Sequence, residues 1–191
     1  MTELPMRIFL LLGLLAHKAV WEVMKRQVPA AGPSKASPGL TTRLVKLVKI
    51  AILLGIAAQT LLPEILPLTP DGSQARTVGV VLYTIGLAVA LMGRIQLGHN
   101  WSDIESAVVH SEHRVVSRGI YKYIRHPIYT GDLLLLVGLE LALNSWLVVG
   151  ALLLIPITAR QAIQEEQDLA TKLPGYDQYC RRTKRFLPFV A

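Results

Sequence analysis

Charged and aromatic residues are scarce in this chain: of its 191 residues, 17% are charged and 6% are aromatic. It has one cysteine, Cys180, which excludes an intrachain disulfide and leaves no paired spacing for a cysteine-based metal site. No Gly-x-Gly occurs in the sequence, so the glycine-rich fingerprint of a Rossmann nucleotide-binding domain is absent. We therefore expect neither a Rossmann-type enzyme nor a metal cofactor.

Long apolar runs are abundant instead. Hydrophobic residues make up 52% of the chain and its mean hydropathy is +0.43, which predicts an all-α, multi-pass helical bundle in a membrane, a single domain over residues 1–191. Five segments are apolar enough to be spans: residues 5–24, 45–66, 77–97, 127–143 and 146–159. The last two are short for a bilayer of about 30 Å, so we expect a tight hairpin through Asn144-Ser145 and helices longer than their apolar runs. The first run resembles a signal-peptide core, but no small-residue cleavage site follows, and we expect it to be retained.

The net charge of +7 is explained by membrane topology and does not require a nucleic-acid partner. Of the 20 Lys and Arg residues, 17 lie in three segments: residues 25–49, 94–125 and 160–191. The intervening connection, residues 63–76, contains one basic residue, Arg76. Cytoplasmic loops are enriched in Lys and Arg, so the pattern predicts an N-terminus outside and a C-terminus in the cytoplasm.

The third predicted span carries Gly79, Gly86 and Gly93 at seven-residue spacing. This spacing keeps three positions without side chains nearly on one helix face, which lets a neighbouring helix approach closely. We interpret the glycines as a packing face and not as a ligand groove.

A polar, basic and aromatic stretch turns abruptly into an apolar helix near residue 127. Proline suits the first turn of a helix because that turn leaves its amide hydrogens unpaired, so we expect the helix to begin at Pro127. Arg125, His126 and Tyr129 would then flank the positive end of a helix dipole, which is a candidate anion site. The alternative is a membrane boundary in which Arg125 meets lipid headgroups and the tyrosines form an interfacial belt.

Ionisable residues also occur in and after the last two spans. Asp132 lies about one turn inside the helix that begins at Pro127, on the side of the candidate site, whereas Glu140 lies near the opposite end and is expected to snorkel outward. Beyond the fifth span, Arg160, Gln161 and Glu165 can line one helix surface because they lie about one turn apart. The alternative for this surface is a solvated helix with charge pairs.

The order of these motifs resembles the superfamily of isoprenylcysteine carboxyl methyltransferases (ICMT) and phospholipid methyltransferases. The resemblance covers residues 98–191, which we expect to form the catalytic half behind three N-terminal spans in 1–97. The matching motifs, besides the Gly-x-Asn-Trp-Ser turn at 98–102, are Gly119-Ile120-Tyr121, Arg125-His126-Pro127-x-Tyr129-x-Gly131, Glu165-Glu166, Tyr176-x-x-Tyr179 and Arg185-Phe186-Leu187-Pro188.

The resemblance implies a cytoplasmic S-adenosylmethionine pocket closed by the C-terminal segment, with a lipophilic or prenylated substrate entering from the bilayer. The cofactor-binding residues that it implies are His113, Arg114, Val115, Val116, Tyr121, Arg125, His126, Pro127, Tyr129, Glu165 and Glu166. The catalytic residues that it implies are Glu165 and an arginine one turn earlier that orients the substrate. Here Gln161 occupies that position and Arg160 lies one residue before it, so either could serve.

Several functions remain open at this point. The resemblance favours methylation of a prenylcysteine-like carboxylate, which needs no general base because the nucleophile is already anionic. A phospholipid or other small lipophile is the second possibility, and an amine acceptor would need a base such as Glu165 or His126. A sterol-reductase-like enzyme that uses NADPH is more remote. Those enzymes resemble this chain around Arg-His-Pro-x-Tyr-x-Gly followed by an acid, and Asp132 follows Gly131 here. A membrane scaffold without enzymatic activity would leave the polar constellation unexplained.

Overall fold

The computed structural model describes residues 3–26, 40–62, 67–100 and 114–188, and the regular elements in these ranges are helices, as predicted. Six are α-helical and two are short 3₁₀ turns. In chain order the α-helices are α1 (Glu3–Arg26), α2 (Leu40–Leu61), α3 (Ser73–Leu97), α4 (Pro127–Ala142), α5 (Val148–Lys172) and α6 (Tyr176–Arg182). The 3₁₀ turns are Gly98–Asn100 and Gly119–Lys122.

Two of the described helices, α1 and α3, are long and apolar enough to cross a membrane, judged by length and composition. The count of five spans and the orientation of the termini stay predictions. Helix α5 continues well beyond residue 159, where its predicted span ends, in agreement with the expectation of a helix longer than its apolar run.

Helices α3 and α4 form the most extensive helix pair, and glycines bring them together. A Cβ atom at Gly86 would lie 2.3 Å from the Leu135 amide nitrogen, and one at Gly79 would lie 2.1 Å from the Ala142 amide nitrogen. In return, a Cβ atom at Gly138 of α4 would lie 2.2 Å from the Tyr83 amide nitrogen. The predicted close-packing face of α3 is therefore confirmed, because backbone touches backbone at these positions.

Helix α1 packs on this pair through its first half. The buried core joins Met6 and Leu10 of α1 to Tyr83 of α3 and Leu139 of α4. The Tyr83 hydroxyl donates a hydrogen bond to the Leu10 carbonyl at 2.6 Å, so the phenol is satisfied in an apolar surrounding. This packing directs the second half of α1 towards the first residues of α4.

The turn between α4 and α5 is tied to the segment that leads into α3. Asn144 adopts a left-handed conformation with φ of 51°, and its side-chain amide donates to the Thr69 carbonyl at 2.8 Å. The expectation that Glu140 snorkels outward is wrong: this residue is 4% exposed, and its carboxylate accepts a hydrogen bond from Gln59 Nε2 at 2.8 Å. The half-buried side-chain amide of Gln59 on α2 replaces the water that an outward carboxylate would have reached.

The glycine contacts generate a stability prediction. We expect Gly86→Ala to lower the free energy of unfolding by about 1–3 kcal/mol, because the added methyl group meets backbone atoms that cannot move aside. The matched control is Gly150→Ala on α5, where no described atom lies within 4 Å of the new Cβ. Thermal unfolding in detergent measures both, and equal behaviour of the two variants would contradict the described α3–α4 contact.

Candidate functional site

The first residues of α4 are held by the end of the chain. As predicted, α4 begins at Pro127, and His126 occupies the position that caps it. Residues 183–186, which we call the C-terminal strap, run alongside this helix start. The Arg125 amide donates to the Lys184 carbonyl at 2.8 Å, and the His126 amide donates to the Arg185 carbonyl at 3.1 Å. The site is therefore assembled from segments about 60 residues apart in sequence, so it forms only when the chain is folded.

Glu166 of α5 lies at the centre of this assembly. Its carboxylate accepts hydrogen bonds from Arg125 Nε at 2.8 Å and from Arg185 Nη2 at 2.8 Å, and it contacts His126 Nε2 at 3.0 Å. Burial alone would raise the pKa of Glu166, but the hydrogen bonds from His126, Arg185 and Arg125 together hold it well below its ordinary value. Glu166 is thus an ionised, largely buried carboxylate that binds α4, α5 and the strap to each other.

Glu165, the preceding residue, faces a different environment. Its side chain is 44% exposed and accepts a hydrogen bond from the Tyr129 hydroxyl at 2.8 Å. The Tyr129 ring is stacked on the His126 ring, with centroids 5.4 Å apart and planes inclined by 16°. Glu165, Tyr129 and His126 thus form a continuous surface on which one carboxylate is accessible to a ligand.

Gln161 and Arg160, which are neighbours on α5, lie in different surroundings. Gln161 is half-buried, and its amide lies within hydrogen-bonding reach of the Tyr129 hydroxyl. Arg160 is exposed. A helix turns by 100° per residue, so neighbours on α5 point in different directions, and Gln161 is the one on the face of Glu165.

Tyr121 lies beneath this surface in the second 3₁₀ turn. Burial raises the pKa of its phenol, and the nearby carboxylate of Glu165 adds to that effect. Two hydrogen bonds fix the turn: the Ile120 amide donates to Gln96 Oε1 at 2.7 Å, and the Tyr179 hydroxyl donates to the Tyr121 carbonyl at 2.8 Å. Tyr121 therefore belongs to the same assembly as the residues on α4 and α5.

The remaining predicted residues precede this turn. Val115 and Val116 are half-buried in the irregular segment that leads into it. Arg114 is exposed, and its backbone amide donates to Asn100 Oδ1 at 2.8 Å, so the loop after α3 holds it. The prediction for His113 lies outside the described residues.

Three residues at the site were given no role by the sequence. Arg185 was noted within a motif, but its contact with Glu166 was not foreseen, because a basic tail is equally typical of lipid binding. Arg94 is fully buried in α3 near Tyr121, and its Nη1 donates to the Gly98 carbonyl at 3.1 Å. His17 of α1 contacts Asp132 Oδ1 at 2.9 Å. The feature of the sequence that could have indicated a role for His17 is its position as a polar residue within an apolar run.

Comparison with known proteins places this geometry in a family. The family model described as Phospholipid methyltransferase matches residues 75–173, about half of the chain. Among curated proteins, the chain is 25% identical over 116 residues to a probable protein-S-isoprenylcysteine O-methyltransferase of Oryza sativa subsp. indica, covering 59% of this chain and 61% of that protein. It is 26% identical over 99 residues to the protein-S-isoprenylcysteine O-methyltransferase of Schizosaccharomyces pombe, covering 50% of this chain and 42% of that protein.

A third relative carries a different name. The chain is 28% identical over 123 residues to the cobalt-zinc-cadmium resistance protein CzcN of Cupriavidus metallidurans, covering 62% of this chain and 53% of that protein. The chain thus spans between two fifths and about three fifths of the length of these curated relatives.

A solved structure shares the fold. The structure of a eukaryotic intramembrane Ras methyltransferase, ICMT, superimposes with a TM-score of 0.60 at 17% sequence identity, covering 92% of this chain and 63% of that one. The similarity extends over almost all of the chain, including helices outside the family match. By the family model, these relatives and this fold, the chain belongs to the phospholipid methyltransferase family, within the superfamily of membrane methyltransferases that includes ICMT.

Proposed function

We propose that this protein is an S-adenosylmethionine-dependent integral membrane methyltransferase that acts on a lipophilic substrate. The observation that carries the proposal is the surface formed by Glu165, Tyr129 and His126 at the start of α4. There an accessible carboxylate lies beside an aromatic stack and a helix N-terminus. Family membership supports the same reaction class.

The chemistry of these residues fits the cofactor. S-adenosylmethionine supplies, when bound, an activated methyl group on a sulfonium, and it also carries an ammonium, a carboxylate and a ribose diol. Glu165 would accept hydrogen bonds from the ribose or the ammonium, and the first turn of α4 would favour the carboxylate. The stacked rings of His126 and Tyr129 offer a flat surface for the adenine or the sulfonium cation. Val115, Val116 and Tyr121 would complete the apolar side of the pocket.

We assign different roles to the two adjacent glutamates. Glu165 would bind the cofactor, because it is accessible and makes one hydrogen bond to Tyr129. Glu166 would hold the walls of the pocket in place, because Arg125, His126 and Arg185 already surround its carboxylate. Arg125 and Arg185 would then act through Glu166 and not by direct contact with the cofactor.

The acceptor has two candidates. The names of the rice and yeast relatives favour the carboxylate of an isoprenylcysteine-like substrate, with Gln161 as the residue that orients it. The charges of the site favour the second candidate, an amine of a phospholipid or other small lipophile. Glu165 and Asp132 are both partly exposed carboxylates, whereas Arg125 and Arg185 both donate to Glu166.

The proposal also includes an orientation of the protein in the membrane. Five spans with an outside N-terminus would put the start of α4, the second half of α5 and the C-terminal strap on the cytoplasmic side. The cofactor would enter from the cytoplasm and the lipophilic acceptor from the bilayer. Exposed aliphatic side chains on α1 and α5, such as Leu12, Leu15, Leu153 and Ile157, provide the apolar surface along which such a substrate would move.

Calorimetric titration with S-adenosylhomocysteine tests the proposal. We expect the detergent-solubilised protein to bind this product, and we expect Glu165→Gln to weaken binding about tenfold or more through loss of a charge-assisted hydrogen bond. Asp168→Asn, which changes an exposed carboxylate on the same helix, is the matched control. NADPH is titrated into the same preparation. Binding of NADPH in place of the homocysteine adduct would indicate a reductase, and binding of neither would indicate a scaffold.

The role of Glu166 generates a prediction about pH. Because the pKa of Glu166 is lower in the folded protein than its ordinary value of 4.5, the stability that it supplies is complete above that value and is lost as the pH falls below it. We expect Glu166→Gln to cost about 3 kcal/mol of unfolding free energy at neutral pH, since it leaves two arginines beside a neutral group. We also expect the wild type to lose more stability than the variant between about pH 5 and about pH 3.

Thermal unfolding across this pH range measures both effects. Asp168→Asn again serves as the control, because its carboxylate is exposed and makes no ion pair with a described residue. Parallel pH profiles of the wild type and Glu166→Gln would show that Glu166 does not hold the site together.

A further inference from the structure

A histidine and an aspartate meet between α1 and α4, on the side of the bundle next to the candidate site. His17 Nε2 lies 2.9 Å from Asp132 Oδ1, and the imidazole is stacked on the Trp21 indole, with centroids 4.0 Å apart and planes inclined by 21°. Both side chains remain accessible, His17 at 23% and Asp132 at 43%. The pair therefore has a fixed geometry and an open side.

The pair is continuous with the candidate site. Asp132 follows Tyr129 by three residues on α4, so the two side chains lie on neighbouring positions of one helix face. Tyr129 in turn donates to Glu165 at 2.8 Å. His17, Asp132, Tyr129 and Glu165 thus form a line from α1 across α4 to α5.

The hydrogen bond determines which nitrogen of His17 can accept a proton. A carboxylate accepts and does not donate, so a neutral imidazole here carries its proton on Nε2 and presents Nδ1 as the basic nitrogen. A carboxylate behind an imidazole is also the arrangement that orients a general base and stabilises the imidazolium that it becomes. His126, the histidine at the start of α4, is unsuited to this role: its side chain is 5% exposed, and both of its nitrogens face glutamates.

We propose that His17, oriented by Asp132, is the proton acceptor of this enzyme and that the acceptor substrate is a lipophilic amine. The inference rests on the proposed function and chooses between its two candidate acceptors. A carboxylate would need no base and would approach two partly exposed carboxylates, Glu165 and Asp132. A protonated amine would be attracted by both and would need to lose a proton before it could react.

The step balances as follows in atoms and charge. The ammonium group of the substrate gives one proton to Nδ1 of His17, which becomes an imidazolium paired with the Asp132 carboxylate. The neutral nitrogen then attacks the methyl carbon of the sulfonium donor, so that a nitrogen–carbon bond forms while the carbon–sulfur bond breaks. The electron pair of the broken bond stays on sulfur, and His17 returns its proton to water. Desolvation at the membrane boundary lowers the pKa of an amine and so assists the first transfer.

The variant that tests the base is His17→Gln. A glutamine at this position can still donate a hydrogen bond to Asp132, so a merely structural tie between α1 and α4 would be retained, whereas the basic nitrogen is lost. Glu22→Gln is the matched control, because Glu22 lies on the same helix and pairs with Arg26 at 3.2 Å, away from the site. S-adenosylhomocysteine affinity and unfolding temperature are measured for each variant to show that the cofactor site and the fold are intact.

Three acceptors with one hydrocarbon tail are compared: a primary alkylamine, an arylamine and a carboxylate. The arylamine carries no proton that must be removed at neutral pH. We expect the wild type to methylate the alkylamine and His17→Gln to lower its kcat about 100-fold, while the rate for the arylamine stays nearly unchanged. Preferred methylation of the carboxylate, equal losses on both amines, or no turnover of any acceptor by a protein that binds S-adenosylhomocysteine would each overturn the inference.

A second readout needs no turnover. In ¹⁵N NMR spectra of histidine side chains, assigned by the signals missing from His17→Gln, we expect Nε2 of His17 to be protonated and Nδ1 not. Addition of the alkylamine without a methyl donor should increase protonation of Nδ1, and addition of the carboxylate should not. Protonation on Nδ1 with a bare Nε2 would overturn the inference. Failure to bind S-adenosylhomocysteine would instead contradict the proposed function, so the two failures are distinguishable.

Discussion

The ionised carboxylate of Glu166 is the contact on which the candidate site depends. It is one side chain on α5, yet it accepts from Arg125 before α4 and from Arg185 in the C-terminal strap, and it contacts His126 at the helix start. Removing a carboxylate from water is costly, and three donors at hydrogen-bonding distance offset that cost. The cluster joins α5 to the strap and adds to the backbone hydrogen bonds from Arg125 and His126 that hold the strap beside the start of α4.

The packing of α3 against α4 gives that cluster a rigid base. Gly79, Gly86 and Gly138 let the two helix backbones touch, which fixes where α4 begins and therefore where His126 and Tyr129 point. Because Glu166 holds the arginines, Glu165 is left accessible beside Tyr129. The division of labour between two adjacent glutamates thus follows from packing and charge, and it turns a helix junction into a surface that can bind a charged ligand.

Local rules were enough to predict the start of α4 at Pro127, the glycine face of α3 and the helical extension of α5, since each depends on residues close together in sequence. The order of the motifs predicted the family. It also predicted that Tyr121, His126, Tyr129 and Glu165 lie close together in the folded chain, as they do. Contacts between distant segments could not be predicted. His17 and Asp132 are 115 residues apart, and Glu140 was expected to reach water because nothing in the sequence shows that Gln59 covers it. The role of Arg185 was missed for the same reason.

The most direct test of the account is an experimental structure of the protein in complex with S-adenosylhomocysteine. The account predicts that the ligand lies against Tyr129 and contacts Glu165, while Glu166 keeps its bonds to Arg125 and Arg185 beneath it. A ligand bound directly to Glu166, with the two arginines displaced, would contradict the division between the two glutamates. A ligand elsewhere in the bundle would contradict the site itself.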